Sequence, residues 1–156
     1  ATPVLSALKA QAPQLEIDAL VYDDTAPMLE GHPAISRVHT VGRKWRLAGF
    51  GRLAPEWRLF GELRSRGFDL LVHLSEHPRG VWLARTLGAR YSVAPGYADR
   101  NRFWKRSFTH RFALASNGRR HMVEWNLDAL RRIGVQPADD VRGLVFVPGV
   151  AANERA

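Results

Sequence analysis

Short runs of branched and apolar residues alternate along this chain with amphipathic stretches, and that alternation restricts the fold more than any other feature. Leu15 to Tyr22 (LEIDALVY), Ile35 to Val41, Phe68 to Leu74 (FDLLVHL), Ala89 to Val93 and Leu144 to Val147 read as strands, the third being the most apolar. Thr2-Pro3 reads as a cap and first turn, opening a helix with Val4, Leu5, Leu8 and Ala12 on one face. Ala26 to Glu30 reads as a single helical turn. Pro55 to Arg66, with Trp57, Phe60 and Leu63 inward, and Pro78 to Leu87, packing through Val81, Trp82 and Leu87, are predicted helices. So is Arg119 to Ile133, striped by Val123, Leu127 and Leu130. Gly67, Gly88 and Gly134 stand as their stops. Residues 95 to 118 read as irregular. Strands and helices in alternation, joined by short loops, predict an α/β fold with a parallel sheet covered on both faces.

A chain of 156 residues with 46% hydrophobic content can bury one sizeable core. The absence of cysteine excludes a disulfide framework, a thiolate metal site and a cysteine nucleophile. Every apolar run is interrupted by Arg, Asp, Glu or His well before the roughly 18 residues expected of a membrane span. No basic-then-apolar export signal is visible. The chain opens without Met inside a helix cap, which predicts that its true beginning lies upstream.

Charge is distributed unevenly. There are 23 basic and 15 acidic residues, and 20 of the basic ones are Arg. From Arg100 to Arg120 lie seven Arg or Lys and no Asp or Glu, so this stretch carries nearly all of the net charge of +8. Guanidinium groups grip phosphate or carboxylate through paired hydrogen bonds, and clustering of this kind marks an anion site. In a parallel α/β sheet ligands bind at the carboxyl ends of the strands. Those ends are Asp23-Asp24, Ser75-Glu76-His77 and Pro95-Gly96-Tyr97, and the basic stretch begins directly after the last. The segment 97–121 also interleaves its cations with Tyr97, Phe103, Trp104, Phe108 and Phe112. Such a pattern suits a phosphorylated sugar, a single-stranded nucleic acid, or a solvated loop anchored by its rings. Arg119-Arg120-His121 opens a helix, where cations oppose the dipole and a bound anion would relieve the cost. Arg43-Lys44-Trp45-Arg46 is a second, smaller basic-aromatic cluster.

The remaining motifs carry less. His73 and His77 straddle a strand end, where a spacing of four does not bring side chains together as on a helix, so no metal site is expected. His32 and His39 are expected on the surface. Asp23-Asp24 lacks the preceding glycine loop of a dinucleotide site and is expected to serve a turn. There is no GxSxG, P-loop or HExxH motif, and nothing assembles a nucleophile with its base and an oxyanion donor.

Three stretches carry a resemblance. They are TPVLSALKAQAPQLEIDALVY with PMLEGHPAISRVHTV, then FDLLVHLSEHPRGVWLARTLGARYSVAP, and then FTH followed by GRRHMVEWNLDALRRIGV, within a similarity that runs from Thr2 to about Pro148. They resemble the N-terminal half of the lipopolysaccharide heptosyltransferases of glycosyltransferase family 9, the last stretch being most like the heptosyltransferase III branch.

The resemblance implies a Rossmann-like N-terminal domain of a GT-B enzyme over residues 1–148, with 149–156 as a linker towards a C-terminal donor domain. It implies an inverting, metal-independent transfer of heptose from ADP-heptose to the lipopolysaccharide inner core, with ADP-heptose held on that other domain and no cofactor. The family's base, an Asp in a Gly-Asp motif, would precede Ala1, as would the first strand of the sheet, leaving a central position empty. The residues then expected to bind the acceptor are Arg43, Lys44, Arg46, Ser75, His77, Arg100, Arg102, Lys105, Arg106, His110, Arg119 and Arg120. The implied partner is a lipid A–Kdo–heptose inner core at the cytoplasmic face of the inner membrane, with peripheral attachment, although no amphipathic anchor is visible. The resemblance implies no nucleic-acid partner; the alternative reading is a single-stranded nucleic-acid-binding module using residues 97–121. This chain alone is expected to be inactive.

Overall fold

A computed structural model of the chain describes residues 2–42, 53–113 and 121–137. The expected strand Leu144 to Val147 and linker 149–156 lie outside the described residues. Strands β1 (Asp18–Tyr22) and β2 (Arg37–Val41) pair in parallel. Strands β3 (Leu70–Val72), β4 (Tyr91–Pro95) and β5 (His110–Phe112) form a second parallel ladder in that order. The helices are α1 (Thr2–Gln11), α2 (Leu53–Ser65), α3 (Arg79–Thr86), α4 (Arg102–Ser107) and α5 (Met122–Arg132). A short 3₁₀ turn, Ala26–Met28, lies in the connection from β1 to β2. The α/β class with parallel pairing is as expected from the alternation.

Successive residues of the strands point to opposite faces, and each face is covered by helices. Val4, Ala7 and Leu8 of α1 pack with Leu127 and Leu130 of α5, and Val72 and Leu74 close against them. Val93, Phe112 and Ala129 continue that layer. On the other face Leu71 and Ala94 meet Val81 of α3, Trp104 of α4 and Phe108 just past its end. Both faces of a parallel sheet must be covered because its central strands are apolar on both sides.

Gly88 and Gly134 take φ of 75° and 88° just past α3 and α5, a backbone region open to glycine and costly to residues with a Cβ. His121 caps α5, its Nδ1 accepting from the Val123 N–H at 3.3 Å. That helix therefore starts at Met122, three residues after the expected start at Arg119.

Several expectations are corrected. Residues 95–118 are not irregular throughout, because they contain α4 and β5. Asn101 starts α4, its Oδ1 accepting from the Trp104 N–H at 2.9 Å. Thr109 holds β5 against β4, its N–H donating to Ser92 Oγ at 3.0 Å while its own Oγ1 takes the Ser92 N–H at 2.7 Å. Trp57 and Trp82, read as inward, are 68% and 61% exposed. His32 and His39, read as surface residues, are buried. His32 accepts the Ala34 N–H on Nδ1; His39 is held by carboxylates described below.

Candidate functional site

The carboxyl ends of β1 and β3 face one another across a cleft of about 250 Å³. Side chains from both ladders line it. Leu20, Val21 and Tyr22 contribute from β1, with Thr25 beyond its end, and His73, Ser75 and His77 follow β3. Arg79 and Gly80, at the start of α3, form the far wall.

The polar rim is organised by short-range hydrogen bonds. Thr25 Oγ1 donates to the Tyr22 carbonyl at 2.9 Å. The His77 ring accepts the Arg79 N–H on Nδ1 at 3.2 Å, and that ring stands edge-on to Tyr22 with centroids 6.5 Å apart. Arg79 also reaches Glu56 Oε1 at 3.4 Å, which ties α3 to α2. The cleft thus presents hydroxyls, an imidazole and a guanidinium over an apolar floor, a set suited to hydrogen-bonding a polyhydroxylated, partly anionic ligand.

His73 shapes the floor. Its ring stacks on Phe108 with a 6° interplanar angle and lies 5.7 Å from the Trp104 ring. Burial pushes its pKa down to about 4, so the ring is neutral at pH 7. Its Nε2 is buried with no hydrogen-bond partner among the described residues. Gly80 makes this packing possible, because a Cβ there would stand 2.2 Å from the ring. Gly80→Ala is therefore expected to force the imidazole out of its slot at a cost of about 1–3 kcal/mol. A urea midpoint and the His73 ring shifts in an NMR spectrum check this, and an unchanged ring environment would refute it.

The structure divides the acceptor residues expected from the sequence. Ser75 and His77 line the cleft. Arg100 sits near the same rim, donating to the Glu76 carbonyl at 3.2 Å and to its carboxylate at 3.4 Å, with its guanidinium 5.0 Å above the Trp104 ring. Tyr97 is beside it; burial first, then the Glu76 carboxylate, push its hydroxyl up to about 12, so it stays protonated. Arg102, Lys105 and Arg106 ride on α4, and none of them lines the cleft. Lys105 Nζ donates to the Ala98 carbonyl at 3.1 Å. His110 begins β5 and its ring contacts Tyr91, which begins β4. It therefore stands at the amino ends of the strands, away from the ligand rim. Arg43, Lys44, Arg46, Arg119 and Arg120 lie outside the described residues.

Tyr22, Thr25 and Arg79 were not picked out from the sequence. The strand ends singled out from the sequence border this cleft at β1 and β3, and β1 ends one residue before the Asp pair that drew attention. Asp23 instead accepts the Asp24 N–H at 3.0 Å, the turn role expected.

No protein-family profile matches the chain. It is 36% identical over 135 residues to lipopolysaccharide heptosyltransferase 3 of Escherichia coli, a match covering 86% of this chain and 38% of that protein. Lipopolysaccharide heptosyltransferase 3 of Escherichia coli strain K12 matches at 36% over 136 residues, with 38% of it covered. The chain thus spans well under half the length of these relatives. In structure it is similar to a glycosyl transferase family 9 protein from Veillonella parvula DSM 2008, with a TM-score of 0.71 at 19% identity, over 96% of this chain and 40% of that one. Sequence and fold agree: the chain is a relative of the lipopolysaccharide heptosyltransferases and carries part of a family 9 glycosyltransferase fold.

Proposed function

We propose that this chain is the acceptor-binding part of a lipopolysaccharide heptosyltransferase, an inverting, metal-independent enzyme that uses ADP-heptose as donor. The observation that carries the reading is the 36% identity to lipopolysaccharide heptosyltransferase 3 over 86% of the chain. The cleft supports it, since hydroxyls and an imidazole at strand carboxyl ends, with Arg79 at one wall, suit sugars bearing carboxylates. In this reading Ser75 and His77 hydrogen-bond sugar hydroxyls, and Arg79 and Arg100 attract the acid groups of Kdo. The acceptor would reach the site from the cytoplasmic face of the inner membrane.

The nucleic-acid alternative has lost its stacking platform. Trp104, Phe108 and Phe112 are buried in the core and Tyr97 is half-buried, which leaves Phe103 as the exposed ring of the five. Base stacking needs open ring faces.

Calorimetric titration with a Kdo-containing inner-core oligosaccharide tests the reading. Saturable binding is expected, weakened about five- to tenfold by His77→Ala through loss of a hydrogen bond worth about 1 kcal/mol or slightly more. Stronger binding of a single-stranded oligonucleotide, or an unaffected H77A variant, would refute it. The chain by itself is expected not to turn over ADP-heptose, because holding donor against acceptor supplies about 7–11 kcal/mol of such a barrier.

A further inference from the structure

Helices α3 and α4 lie side by side on one face of the β3–β4–β5 sheet, sharing the Val81, Trp104 and Phe108 core. Trp82 of α3 is 61% exposed and Phe103 of α4 is 42% exposed, and the two rings touch with centroids 5.6 Å apart. Arg85, one turn after Trp82, stacks its guanidinium 4.5 Å from the Phe103 ring centroid and donates from Nε to Ser107 Oγ at 2.8 Å. Arg102 and Arg106, one turn apart on α4, are exposed beside Phe103. Neither helix contains an Asp or Glu.

We infer that this α3–α4 face adheres to an anionic lipid bilayer, with Trp82 and Phe103 entering the headgroup boundary and Arg85, Arg102 and Arg106 meeting lipid phosphates. Aromatic rings favour that depth because one environment suits both an apolar body and a polar edge. Basic side chains near an anionic leaflet add attraction that salt screens. The sign of the charge decides for this occupant: Arg85, Arg102 and Arg106, on two helices that carry no carboxylate, complement an anionic sheet of headgroups. Among the described residues no helix is long and apolar enough to cross a membrane, so the contact is a surface one. It is also separate from the cleft, whose lining includes none of Trp82, Arg85, Arg102, Phe103 and Arg106.

Co-sedimentation of the intact chain with vesicles tests the inference, comparing pure phosphatidylcholine with an equal mixture of phosphatidylcholine and phosphatidylglycerol. Binding to the anionic vesicles is expected at low salt, with little to the neutral ones. The double variant Trp82→Ser with Phe103→Ser should weaken partitioning at least about tenfold, given the apolar area of two aromatic rings. Arg102→Gln with Arg106→Gln should weaken it about fivefold or more per residue at low salt and much less at high salt. Circular dichroism should show both variants folded, since the altered side chains are solvent-facing. Equal partitioning of wild type and the Trp82/Phe103 variant would overturn the inference. So would failure of the wild type to bind, or sedimentation velocity showing that the rings close an interface between two copies. None of these outcomes bears on oligosaccharide binding in the cleft, so the two readings fail separately.

Discussion

Asp18→Ala is expected to remove about 3 kcal/mol of stability, the lower end of what breaking a buried ion pair costs. Asp18 opens β1 with its side chain only 2% exposed. It accepts from Arg66 Nε at 2.9 Å and from an Arg66 terminal nitrogen at 3.1 Å, and His39 Nε2 stands 3.0 Å from its Oδ2. Glu16 takes a further Arg66 hydrogen bond at 2.8 Å, and Glu62 of α2 lies 3.2 Å from His39 Nδ1. One carboxylate thus fastens β1 to β2 and to the end of α2. Alanine would leave two basic groups facing an empty site, one of them buried, and the partly exposed Arg66 keeps the loss from being larger.

Burial alone would raise the Asp18 pKa, but hydrogen bonds from Arg66 and His39 outweigh it and hold the carboxyl below its ordinary value. A lowered carboxyl pKa means that its contribution is complete above the unfolded value of about 3.9 and is lost as pH falls through the folded one. Urea midpoints at pH 7 and below pH 4 check both statements. A loss under about 1 kcal/mol for D18A would place this cluster with ordinary surface pairs.

Mild acid should destabilise the protein well before that carboxylate titrates. His73 has a folded pKa of about 4 against an ordinary 6.5, because burial among Trp104 and Phe108 disfavours the imidazolium. Between those values the unfolded chain binds a proton that the folded one refuses, so stability rises with pH. The contribution is complete above pH 6.5 and falls by about 3 kcal/mol on the way to pH 4. His32, also lowered by burial, acts in the same direction. His73→Phe should therefore flatten most, but not all, of the slope in urea midpoints measured from pH 7 to 4. A slope unchanged in H73F would show that the imidazole is solvated.

The layered architecture was legible because it depends on local periodicity. Val123, Leu127 and Leu130 recur at helical spacing and do line the buried face of α5, and the glycine stops fell where a positive φ was needed. The segment after Tyr97 was harder. Its cations suggested a loop, although Asn101 followed by Trp104, Ser107 and Phe108 has both the cap and the three-four spacing of a helix. Trp57 and Trp82 were misplaced for the opposite reason: burial was assumed from residue type, whereas each lies outside its helix's buried stripe.

The candidate site was half legible. The strand-end rule located Ser75 and His77, but treated the basic stretch as one cluster on one rim. Folding it into α4 and β5 sent Arg102 and Arg106 to an outer helix face and His110 to the opposite end of the strands. Among the described residues, a run contiguous in sequence was thus parted in space, with Arg100 alone left near the rim.

From its order of residues alone, this protein was bound to be a parallel α/β layer with apolar strands and glycine-ended helices, since those features need only neighbours within a few positions. Only the tertiary structure decided that Asp18 meets His39 and Arg66, that His73 lies against Phe108, and that Trp82 finds Phe103. Charge pairing and ring contact act over a few ångströms in space, and partners from 20 to nearly 50 positions apart come within that range only when strand register and helix packing place them there.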